Sequence, residues 1–84
     1  MSLIHYKHKY GGIYDFITEA IHADDKSMMV VYKHIYPFEE KMYVRKKEEF
    51  YDKFNPISEQ QYLSEINRDR IQFQKIISEN KIQK

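Results

Sequence analysis

The sequence predicts a small, mainly β domain over residues 1–55 and a helical extension over residues 56–84. Three observations carry this reading. Eleven of the thirteen aromatic residues precede Asn55-Pro56, so the front half holds the material of an aromatic core, each ring able to bury roughly 150–250 Å². Both glycines stand side by side as Gly11-Gly12, immediately before a run that alternates with a period of two. That arrangement marks a tight corner feeding a strand. The tail instead carries a helix cap followed by apolar residues at helical spacing.

Each element follows in order. From Gly12 to Ala20, Ile13, Asp15, Ile17 and Glu19 alternate with Tyr14, Phe16, Thr18 and Ala20, a strand with a mainly aromatic face opposite a mixed one. His22-Ala23-Asp24-Asp25-Lys26-Ser27 is polar and reads as a hairpin turn, its Asp pair suited to the bend. Met28–Tyr36 is a second strand with β-branched residues at its centre. Pro37–Glu40 is the next turn and Lys41–Arg45 a third, shorter strand. Phe50 and Phe54 then fall at i,i+4, which predicts a helical turn or two over residues 46–54. In the tail, Ser58 with Gln61 forms a capping box, and Ile57 with Tyr62 a hydrophobic staple. Leu63, Ile66, Phe73, Ile76 and Ile77 continue one stripe, broken by Arg70. A single helix over residues 59–80 would be roughly 33 Å long, more than a domain of this size covers. The overhang predicts a partner, most simply a second copy of the chain.

Composition narrows the function. At 84 residues there is room for one domain with a modest core. Charged residues reach 32%, yet the net charge is only +1, so no long-range field draws the protein onto nucleic acid or an anionic membrane. The absence of cysteine removes disulfides, thiolate nucleophiles and cysteine-based zinc sites. No apolar run approaches the roughly 20 residues that span a bilayer, and the N-terminus lacks a signal peptide's apolar core. These features read as a soluble, cytoplasmic protein.

A set of motifs adds a family likeness. Tyr6, His8, Gly11, Gly12 and Tyr14 are followed by Ala20-Ile21-His22, by Val30-Val31-Tyr32, and by Tyr43-Val44-Arg45 with Phe50. In this order and spacing, over about residues 5–54, they resemble the domain of unknown function 1653 family. Tyr10 stands before the glycine pair where that family commonly has Lys. Phe16 replaces a common Val, Tyr43 a common Trp and Lys46 a common Pro. The resemblance implies a small SH3-like barrel, and it implies no activity.

The residues themselves point to binding rather than catalysis. The four histidines show no His-x-x-x-His or His-Glu-x-x-His spacing, and no metal or cofactor site is expected. Asp24-Asp25, Glu39-Glu40 and Glu48-Glu49 are adjacent acids, which on a strand point to opposite faces and form no dyad. No serine lies in a nucleophile-elbow context, and Gly11-Gly12 does not open a phosphate-binding helix. The expected function is therefore a non-enzymatic binding or protein-interaction module. Its ligand-binding candidates are Tyr6, His8 and Tyr10 around the glycine corner, with His22 and Arg45. Structural roles compete with that reading: His8 and His22 hydrogen-bonding to backbone at turns, and Arg45 as an ion-pair partner of Glu48, Glu49 or Asp15. The alternative is a weak single-stranded nucleic-acid binder. Its Tyr/Lys surface would comprise Tyr6, Lys7, Lys9, Tyr10 and Lys33, with Arg45-Lys46-Lys47.

Overall fold

The computed structural model describes residues 4–82. Five antiparallel strands form one sheet in the order β4-β3-β2-β1-β5. They are β1 (Ile4–His8), β2 (Ile13–Ile21), β3 (Met28–Tyr36), β4 (Met42–Lys46) and β5 (Phe54–Ile57). Three helices accompany them: α1 (Lys47–Lys53), α2 (Glu59–Ile66) and α3 (Arg70–Ile82). The fold is mainly β, as expected, but β4 and β5 remain edges and the sheet is open. A closed SH3-like barrel is therefore not what the hydrogen bonds form.

Strand alternation divides the sheet into two working faces. On one, Tyr6, Tyr32 and Phe54 are buried with Phe50 of α1 and Val30, and Tyr14 and Phe16 pack against them. Phe50 and Phe54 stack with centroids 4.5 Å apart, so the predicted i,i+4 pair does close this face, with Phe54 already in β5. Lys46 adopts φ −57°, the value a proline ring imposes, and α1 starts at the next residue despite the missing proline.

On the opposite face, Ile13 is buried with Phe73 and Ile77 of α3, flanked by Tyr36, Ile57, Tyr62 and Ile66. One ionic contact secures α2 there: Lys7 of β1 reaches Glu65 at 2.6 Å, and Arg68, three residues beyond Glu65, reaches the same carboxylate at 2.9 Å. Burial alone would raise the Glu65 carboxyl, but the hydrogen bonds and charges of Lys7 and Arg68 prevail and hold it below its usual range. His5 stacks on Tyr62 at 3.6 Å and contacts Asp15 at 2.6 Å.

The single tail helix of the sequence reading is two helices. Ser58 caps α2 as expected, its Oγ accepting the Gln61 N–H at 3.1 Å. The helix ends at Asn67, and Asp69 starts the next by accepting the Gln72 N–H at 2.8 Å. The break lets α3 turn back across its own sheet. Of the apolar stripe, Phe73 and Ile77 are covered there, whereas Leu63 stays exposed. Arg70, the residue that broke the stripe, lies over the Tyr36 ring at 4.8 Å and donates to the Pro37 carbonyl at 2.9 Å.

Gly11 makes this docking possible. Its φ is +120°, and a Cβ would stand 3.1 Å from Ile77 Cγ1 and 3.2 Å from Phe73 Cε1. Both the conformation and the space favour glycine. Gly11→Ala is expected to destabilise the protein by about 1–3 kcal/mol, read from urea unfolding. A loss below a few tenths would mean that α3 yields freely at this point.

Candidate functional site

The corner between β1 and β2 opens onto a cavity of about 450 Å³. It lies at the end of the aromatic face, where cross-strand register assembles its wall. Tyr14 pairs with His34 across β2 and β3, and their rings meet edge-on at 4.6 Å. Gly12 sits against both. A Cβ there would lie 3.0 Å from Tyr14 Cε1 and 3.4 Å from His34 Cε1, so bare backbone is what lets the two rings close on the corner.

Two histidines face the cavity, and the backbone fixes the chemistry of each. His8 Nδ1 accepts the Tyr10 N–H at 3.0 Å. His34 Nε2 accepts the Phe38 N–H at 2.9 Å. An imidazole nitrogen that accepts carries no proton, so neutral His8 holds its proton on Nε2 and neutral His34 on Nδ1. Burial lowers the His8 pKa to about 4, helped by the charges of Arg45, Lys53, Lys81 and Lys9. Burial likewise lowers His34 to about 4, with Lys81 and Arg70 acting in the same direction. Tyr14 is pushed up to about 12 by burial and by Tyr32 and Tyr43, with Arg45 opposing. At neutral pH all three are uncharged hydrogen-bonding groups.

The charged part of the wall is cationic. Arg45 from β4, Lys53 from the end of α1 and Lys81 from α3 line the cavity, and no carboxylate does so among the described residues. Arg45 is held in place by its Nε donating to Tyr32 Oη at 3.2 Å and by Glu49 at 3.8 Å. Glu49 is one of the partners expected for it. Tyr10, Phe38 and Tyr43 complete the aromatic rim, and Ile77 contributes from α3.

Of the sequence candidates, the cavity brings together His8, Tyr10 and Arg45. Tyr6 is 6% exposed and belongs to the core, meeting Phe50 edge-on at 5.0 Å. His22 sits in the exposed β2–β3 turn, where its Nδ1 accepts the Asp24 N–H at 3.2 Å. The basic surface read from the sequence is largely engaged elsewhere. Lys7 pairs with Glu65, Lys33 with Glu40 at 3.1 Å, and Lys47 with Glu19 at 3.1 Å. Phe38, Lys53 and Lys81 were not singled out from the sequence; Tyr14 and Tyr43 stood there only as family-motif residues, and His34 only as one of four histidines without metal-ligand spacing. One signal was available: Tyr14 and His34 belong to period-two rows whose pairing a hairpin register would have shown. No group of three or more His, Asp or Glu residues among those described is placed to hold a metal ion. No helix among them is long and apolar enough to cross a membrane.

Comparison with known proteins gives one likeness. No curated protein and no solved structure matches the chain. The model of the family described as "Protein of unknown function (DUF1653)" matches residues 4–73. That range reaches past the motif-bearing segment, through α2 and into α3 as far as Phe73. The chain belongs to the domain of unknown function 1653 family.

Proposed function

We propose that the chain is a non-enzymatic binding module whose cavity at the glycine corner holds a small anion-bearing ligand. The composition of the cavity wall carries this reading: Arg45, Lys53 and Lys81 stand beside Tyr10, Tyr14, Phe38 and Tyr43, with no acid among the described lining residues. Charge-assisted hydrogen bonds to an anion in such a partly desolvated site are stronger than neutral ones. The volume also falls within the usual range for small-molecule sites, about 300–1,000 Å³.

Binding is favoured over catalysis by the state of the histidines. Each commits its unprotonated ring nitrogen to a backbone N–H, leaving no free lone pair to act as a base, and with values near 4 neither is an imidazolium acid at neutral pH. We further read the sheet as an opened SH3-like arrangement. Support comes from the order β4-β3-β2-β1-β5, the helical link between β4 and β5, and the register shift within β2 between Phe16 and Thr18, a point where a long strand bends.

Inorganic phosphate is expected to perturb the amide resonances of His8, Gly12 and Arg45 in NMR titration. Arg45→Ala is expected to weaken that binding by about tenfold or more, since a hydrogen bond to a charged group contributes about 1.5–3 kcal/mol. Undiminished binding in the variant, or perturbation confined to residues outside the cavity, would remove this function.

A further inference from the structure

We infer that the ligand is a nucleotide unit, with its phosphate on Arg45, Lys53 and Lys81 and its base against Phe38 and Tyr43. The inference rests on the anion-binding reading above and names the class of ligand. Three cations in one small cavity exceed what a single carboxylate needs and suit a phosphate monoester, whose charge near neutrality is about −1.5 to −2.

The rim supplies the second argument. Phe38 is 37% exposed and Tyr43 is 44% exposed, so neither ring is hidden in the core. Exposed aromatic rings beside cations form a stacking platform for bases, because every base presents a π face.

The imidazoles distinguish a base from a plain aromatic ring. His8 and His34 line the cavity with Nδ1 and Nε2, respectively, already accepting from the backbone. Each therefore has a single N–H left to give. A phenyl phosphate offers no acceptor on its ring, so filling the cavity with one would desolvate these donors without pairing them. A nucleobase carries acceptor atoms on its edges. With a volume of about 450 Å³, the cavity takes one such unit rather than a run of several.

The unit could be supplied as a free nucleoside monophosphate or as the 5′-phosphorylated end of a single strand, both of which carry a phosphate monoester, and the test separates the two. The full chain is titrated in parallel with inorganic phosphate, ribose 5-phosphate, nucleoside 5′-monophosphates and a short 5′-phosphorylated single-stranded oligonucleotide, with affinities read by calorimetry and sites by NMR. At least one monophosphate or the oligonucleotide is expected to bind about tenfold tighter than ribose 5-phosphate. Phe38→Ala and Tyr43→Ala, both at exposed positions, are each expected to lower nucleotide affinity about tenfold more than they lower phosphate affinity. Tighter binding of the oligonucleotide would identify the polymer as the source, and tighter binding of a monophosphate the free nucleotide; either supports the inference. Equal affinity for phosphate and nucleotides would overturn it and leave the anion-binding reading standing. No response to phosphate or to any nucleotide would overturn both.

Discussion

Phe73→Ala is expected to destabilise the protein by about 3–5 kcal/mol, the cost of emptying a well-packed aromatic site. Phe73 is 1% exposed and shares its cluster with Ile13 and Ile77. The Arg68 guanidinium covers its ring at 4.1 Å, and the bare backbone of Gly11 leaves room for its edge. A domain of 84 residues has a total stability of only about 4–13 kcal/mol, so this one side chain accounts for a large share of it. Urea unfolding at neutral pH checks it. A loss under about 1 kcal/mol would mean that α3 contributes little to the folded state. The same logic predicts that a chain ending at Ile57 unfolds, because removal of α2 and α3 uncovers Ile13.

Acidification gives the second large effect. His34 is 3% exposed and its pKa is about 4 in the folded protein, against 6.5 for an unperturbed histidine. Between these values the unfolded chain binds the extra proton, so stability falls as the pH drops from about 6.5 to about 4 and then levels. At about 1.36 kcal/mol per unit, His34 alone accounts for a loss on the order of 3 kcal/mol. His8 moves in the same direction, and its greater exposure makes its share smaller.

The groups around His34 explain the sense of the shift. Tyr14 of β2 faces it edge-on and is neutral, Lys81 and Arg70 of α3 repel a proton, and the Phe38 N–H already occupies Nε2. None of them welcomes an imidazolium. Glu65, held low by Lys7 and Arg68, adds its own loss as the pH falls from the ordinary carboxylate value towards its lowered one. His34→Gln keeps an acceptor for the Phe38 N–H and cannot titrate, so it should flatten the stability profile above pH 4. An unchanged slope in that variant would show that the acid sensitivity originates elsewhere.

How much of this was legible depended on the kind of signal. Met28–Tyr36 stands as β3 with the boundaries expected, because β-branched residues sit between two polar turns. The Ser58 cap was equally plain. β1 was missed because its alternation is short and mixed with lysines. β5 was missed because it contains Pro56, which argues against a central strand but is tolerated on an edge. β5 is an edge strand, with Pro56 opposite Tyr6.

The break between α2 and α3 had a signal of its own in Asp69 with Gln72, a second cap. The continuous spacing of Ile66 and Phe73 concealed it. The cavity was harder still. His8 and Tyr10 are near neighbours in sequence, but His34, Lys53 and Lys81 join them only through strand pairing and the return of α3. Such residues carry no local pattern, and their grouping is a property of the fold.

The position of Lys81 and Ile77 on the cavity wall ties occupancy to the last helix. If α3 swings off the sheet, the cavity loses a cation and part of its lining at once. A ligand that needs this wall therefore binds only the docked form, and mass action draws the helix down in proportion to how tightly the ligand is held. Amide exchange along α3 would then slow as ligand is added, even at residues that never touch it. With such a ligand, docking of the helix against the Gly11 corner and filling of the cavity would be a single equilibrium.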